Sequence, residues 1–208
     1  MATAAQTSLT DLVRRAQRLQ LLTTVWMAAE AIVALAAAWT ARSPALLAFG
    51  GDSGIELLSA AVVLWRFRSK SEAESMRAEQ IAARIAGALL FLVAAFVTII
   101  SALALLGYEE PRPSIVGIIV LIAAAFGMPW LAVQKRKLAT PLSSACLRAD
   151  AAQSSLCGYL SWIALAGLIA NAVLHKSWAD SVAALILVPF VAKEGWEATR
   201  ASRLGCRC

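Results

Sequence analysis

The chain has 208 residues, of which 60% are hydrophobic, and a formal net charge of +6. Its mean hydropathy is +0.71. A soluble globular domain is only about half apolar, so a water-soluble fold is excluded as the main reading. A nucleic-acid role would need a basic folded surface, and the basic residues instead sit in the segments between long apolar runs.

The apolar runs each approach the roughly 20 residues that a helix needs to cross the hydrocarbon of a bilayer. No strand alternation suggests a barrel, and in lipid the backbone must satisfy its own hydrogen bonds, so the runs are expected to be helices. In chain order they are Leu19 to Thr40, Pro44 to Trp65, Ile81 to Leu106, Ser114 to Val133, Ala149 to Leu174 and Trp178 to Gly195. The fold class expected is all-α: a six-helix integral membrane bundle over 19–195. A polar segment precedes it at 1–18 and a short tail follows at 196–208. The first twenty residues run directly into the first span and do not resemble a cleavable signal.

Lysine and arginine set the expected orientation. Sixteen of them lie at the N-terminal segment, the 2–3 and 4–5 connections and the C-terminal end. Only Arg42, Arg112 and Lys176 lie on the other side. This split places both termini in the cytoplasm of a multi-pass protein, read as one of the bacterial inner membrane.

Within the spans lie Glu30, Asp52 and Glu56, with Asp150 near the start of the fifth helix and Asp180 near the start of the sixth. An ionised carboxylate at the bilayer centre costs at least about 2.5–3.5 kcal/mol, so a cation, a proton or a wet cavity must offset it. Asp52 and Glu56 are four residues apart and share a helix face. Gly50 and Gly54 point to roughly the opposite side as a close-packing pair. Asp52 lies about 15 Å from Arg42 along the axis, near the midplane.

On the fifth helix, Asp150, Gln153, Ser154, Cys157 and Ser161 fall in one arc, and Asn171 continues it. Cys157 lies about 14 Å in from Arg148. The second and fifth helices therefore bring polar groups to similar depth. Two carboxylates, an amide oxygen and a thiolate suit a borderline divalent ion such as zinc in a four-coordinate site.

Plainer readings stand beside these. Asp52 and Glu56 could be protonated and bonded to a neighbouring helix. Gln153, Ser154 and Ser161 could join helices, and Cys157 could be a small buried hydrophobe. Glu30 reads either as a supporting or proton-handling group or as a partner of a polar side chain. Asp180 reads as a dipole partner at a helix start. His175 reads as solvated, and Pro129 and Pro189 as kinks. The tail pair Cys206 and Cys208 is a weak soft-metal motif. No disulfide is expected in the cytoplasmic half. No nucleotide loop, zinc-protease signature or serine–histidine pairing appears, so neither an enzyme nor a nucleotide-driven pump is expected, and no cofactor.

The stretches "TTVWMAAEAIVAL", "ALLAFGGDSGIELLSAAVVLWR", "ADAAQSSLCGYLSWIALAGLIAN" and "WADSVAALILVPFVAKEGWEA" carry a resemblance. They resemble the cation diffusion facilitators, in a short-form branch without the usual cytoplasmic C-terminal domain. The resemblance implies efflux of a divalent cation, zinc foremost, by proton antiport with alternating access. It places the metal on Asp52 and Glu56, with Gln153 and Cys157 where better-known members carry histidine and aspartate, and with Asp150 or Glu30 as possible substitutes. Partners implied are the lipid bilayer, protons and a second copy held through the membrane helices. The alternative is a membrane protein that binds metal without transporting it.

Overall fold

The computed structural model describes residues 2–66, 72–108, 110–141 and 145–204. Six helices account for nearly all of them: α1 (Ala2–Ala41), α2 (Pro44–Arg66), α3 (Glu72–Leu105), α4 (Ile115–Ala139), α5 (Ala145–Leu174) and α6 (Trp178–Leu204). No strand occurs among the described residues. α1, α3, α4 and α5 each contain a described stretch long and apolar enough to cross a membrane. The two other helices, α2 and α6, carry Asp52, Glu56 and Glu194 in their interiors.

Each apolar run expected from the sequence is a helix, but five extend well past the expected ends, α4 by six residues to Ala139. α1 takes in most of the polar N-terminal segment, α3 starts nine residues before Ile81, and α5 starts four before Ala149. α6 runs nine residues past Gly195. Hydropathy marks where a helix leaves the hydrocarbon, while backbone hydrogen bonding continues wherever helix formers follow. The segment "WEATRASRL" after Gly195 holds no proline or glycine to stop it. Pro129 and Pro189 lie inside α4 and α6 as expected.

The helices pack as a four-membered group of α1, α2, α4 and α5, with the closely packed pair α3 and α6 against it. α2 is the hub, touching α1, α3, α5 and α6. The principal core centres on α1, α2, α4 and α5 through residues such as Ala34, Leu46, Phe49, Met128 and Leu168, and it reaches Val97 of α3 and Leu187 of α6. A smaller core of Ile55, Ala86, Leu90, Ala94 and Val191 joins α2 to α3 and α6. Large apolar side chains such as Trp39, Leu92, Phe126 and Trp196 point outward, as expected of a surface solvated by lipid.

At the end holding the α1–α2 and α5–α6 turns, backbone and side chains interlock. Arg42 and His175 take left-handed φ of 51° and 52° at these turns. Ser43 caps α2, its Oγ accepting from Leu46 N at 3.1 Å. The same hydroxyl donates to Asp180 Oδ1 at 2.8 Å. Asp180 thus holds the start of α2 rather than serving only its own helix. In the loop before α4, Arg112 N donates to Ala41 O at 2.8 Å, and Asn171 Nδ2 donates to Pro111 O at 3.1 Å.

Small residues set the helix spacing. Gly50 lies against α1, where a Cβ would meet Leu35 N at 3.0 Å. Gly51 lies against Val93 of α3. Gly54 meets nothing within 4 Å, which corrects the expected Gly50–Gly54 packing pair. α2 instead packs through adjacent glycines on two sides, because it is surrounded and has no single interface. The α3–α6 crossing depends on Gly87, where a Cβ would approach Gly195 O to 2.7 Å. Replacing Gly87 with alanine should therefore force the pair apart and cost about 1–3 kcal/mol. Gly54→Ala fills open space in a helix and should leave stability unchanged or slightly raised. Melting of both variants in detergent checks the contrast.

Candidate metal centre

α2 and α6 begin at the same end of the bundle and run side by side. That arrangement brings Asp52 and Glu56 of α2 against Glu194 of α6. Each of the three offers a carboxylate oxygen, and these oxygens lie within 4.8 Å of one another. Asp52 is 1% exposed. Neither oxygen of Asp52, and neither of Glu56, has a hydrogen-bond partner of ordinary geometry. At an effective dielectric of about 20, each like-charged pair at this separation would repel by about 3 kcal/mol. Three ionised carboxylates therefore stay together only with a cation or protons among them.

The sequence reading did not select Glu194. Hydropathy ends the sixth span at Gly195, which makes Lys193 and Glu194 look like a charged helix end. The helix in fact continues to Leu204, so Glu194 is an interior residue. The available signal was the absence of any helix stop after Gly195. Lys193 points away, 69% exposed in its side chain, and pairs at 3.7 Å with Glu197.

The other expected site residues separate into three groups. Gln153 interacts with Glu56 through its side chain, without satisfying either Glu56 oxygen by a well-formed hydrogen bond. It is the α5 residue nearest in role to a ligand.

Glu30 and Cys157 form a second, satisfied group. Glu30 is 2% exposed. Its Oε2 accepts from Trp26 Nε1 at 2.7 Å, and its Oε1 accepts from Ser53 Oγ at 3.0 Å. Cys157 Sγ donates to the same Oε1 at 3.6 Å. One carboxylate thus ties α1 to α2 and α5. Cys157 is a free, buried thiol. It lies within Coulomb range of Asp52 and Glu56 but outside their cluster.

Asp150 belongs to the third group. Lys135 Nζ of α4 lies 2.8 Å from its Oδ2, an ion pair made without ideal hydrogen-bond alignment. The same ammonium donates to Ser154 Oγ at 2.9 Å. Ser154 and Ser161 also donate to Asp150 O and Cys157 O of their own helix. The single polar arc of α5 thus divides among α1, α2 and α4. His175 is exposed, as expected. Cys206, Cys208 and the Cys146 side chain lie outside the described residues.

Residues 21–204 match the family model of the cation efflux transmembrane domain. The match covers most of the chain, and with six helices and no strands among the described residues, the protein belongs to this family. It is a multi-pass integral membrane protein of a family of metal-cation efflux transporters. Comparison with curated proteins gave no match.

The Glu30 group makes a structural prediction. Glu30→Ala strands the Trp26 and Ser53 donors in the interior, at about 1–3 kcal/mol each. Its melting temperature should fall, and Cys157, followed by peptide mass spectrometry, should react with a small maleimide faster than the buried Cys157 of the parent protein.

Proposed function

We propose that the protein exports a divalent cation, zinc first among candidates, in exchange for protons, around the Asp52–Glu56–Glu194 centre. The observation that carries this reading is Asp52: a fully buried carboxylate with both oxygens unpartnered, facing two more carboxylates. Burial without a partner makes a carboxylate favour either a proton or a metal ion. Cation and protons thus become alternative occupants of one site, which is the requirement for exchange. The three carboxylates supply oxygen donors of the kind zinc accepts, and a turn of the Gln153 amide, which faces Glu56 as a donor, would present its oxygen as the fourth of a four-coordinate site.

Alternating access fits the division of the bundle. α6 contributes one ligand and belongs to the α3–α6 pair, while α2 contributes two and belongs to the four-helix group. Movement of the pair relative to the group would open and close the centre. The proposal includes cytoplasmic termini, supported by the distribution of lysine and arginine. It also includes a bacterial inner-membrane location and a homodimer joined through membrane helices.

An oxygen-only cluster favours a second cargo as well, since carboxylate donors suit manganese. Zinc, manganese and cadmium should therefore be compared in proteoliposomes with a pH-sensitive dye inside. Asp52→Asn and Glu194→Gln should each lower cation-driven flux by about tenfold or more, the loss of one charged ligand. Flux unchanged in both variants would remove the proposed centre. Cation binding without any flux in the parent protein would mark it as a binding or regulatory protein instead.

A further inference from the structure

Lys135 is a buried cation that the proposed exchange does not use. It lies near the end of α4 but is only 1% exposed, unlike a lysine placed simply to mark the membrane boundary. Its ammonium is fixed by Asp150 at 2.8 Å and by Ser154 at 2.9 Å. Asp150 is one turn before Gln153 on α5 and within Coulomb range of Glu56. Asp150, outside the three-acid cluster and with its side chain 32% exposed, is therefore a fourth carboxylate whose charge reaches Glu56 and which a protein cation engages.

We infer that Lys135 is a specificity-determining positioning residue, which by pairing with Asp150 keeps a fourth carboxylate from joining Asp52, Glu56 and Glu194 around the cargo. This rests on the reading of those three acids as the cation centre and says how that centre is limited. The physical need is reversibility. A transport site must bind strongly enough to load and weakly enough to release. A fourth negative oxygen donor would hold a divalent ion more tightly and slow its exit. Lys135 neutralises that charge without entering the ligand set. Lys135 is buried, and its ammonium meets one carboxylate and one hydroxyl of α5.

A pair that only stabilised the fold would behave differently from a pair that sets affinity. Removing either partner of a structural pair destabilises the protein and leaves cation affinity unchanged, or lowers it in both cases. The inference requires opposite signs. Lys135→Met frees the Asp150 carboxylate towards the centre, so zinc should bind about tenfold more tightly. Asp150→Asn leaves an unpaired ammonium beside the centre, so zinc should bind about tenfold more weakly. The double variant removes both charges and should return to within about threefold of the parent.

The test is zinc titration calorimetry of the full chain in lipid nanodiscs, with Asp52→Asn as the reference variant. Opposite shifts in the single variants, with recovery in the double, support the inference. Equal-sign shifts or unchanged affinities overturn it, provided Asp52→Asn abolishes binding. Binding that survives Asp52→Asn overturns the three-carboxylate centre itself, a separate failure. If Lys135→Met does not survive purification, Lys135→Gln takes its place with the same expectation: tighter binding supports the inference, and unchanged or weaker binding overturns it.

Discussion

The structure depends on one electrostatic constraint: buried carboxylates must be matched. Three acidic groups inside the bundle meet it with protein. Glu30 receives two hydrogen bonds and a thiol, Asp180 receives the Ser43 hydroxyl, and Asp150 receives the Lys135 ammonium. Asp52 and Glu56 have no such partner and face Glu194. Ser101 and Ser181 also lack a partner, but those are neutral hydroxyls, and among the described residues Asp52 and Glu56 are the buried carboxylates with neither oxygen matched, which is why they are the proposed cation site.

The satisfied groups also give that cluster its frame. Glu30 fixes α1 to α2 and α5 through Ser53 and Cys157, and Ser53 is the residue next to Asp52. Asp180 fixes the start of α2 from α6, the helix that also carries Glu194. Both helices of the proposed metal centre are therefore joined at one end, while their acids meet further along. A joint at one end and charge repulsion in the middle is a geometry in which cation occupancy can govern helix separation. The α3–α6 crossing at Gly87 and Gly195 makes α6 and its neighbour a unit close enough to respond together.

Much of this was legible in the sequence. The runs of apolar residues marked six helices because hydrocarbon thickness imposes a length. Asp52 and Glu56 were visible because charge in such a run is costly and their spacing puts them on one face. Glu194 was hidden because charge near an apparent helix end is ordinary, and hydropathy cannot show that a helix continues beyond the membrane. The arc on α5 was read as one surface, since periodicity gives direction from a single axis. Three different helices surround that axis, so Asp150, Gln153 and Cys157 serve different neighbours. The partners of buried acids, Lys135 for Asp150 and Ser53 for Glu30, lie on other helices and depend on tertiary packing.

The central claim is that oxygen atoms from α2 and α6 surround the cation. X-ray absorption at the zinc edge of the zinc-loaded full chain tests it most directly. The account predicts a first shell of light donors at about 2.0–2.2 Å with no sulfur. A sulfur scatterer at about 2.3 Å that persists when Cys146, Cys206 and Cys208 are replaced by serine would place Cys157 on the metal and contradict it, as would a chain that retains no zinc at all.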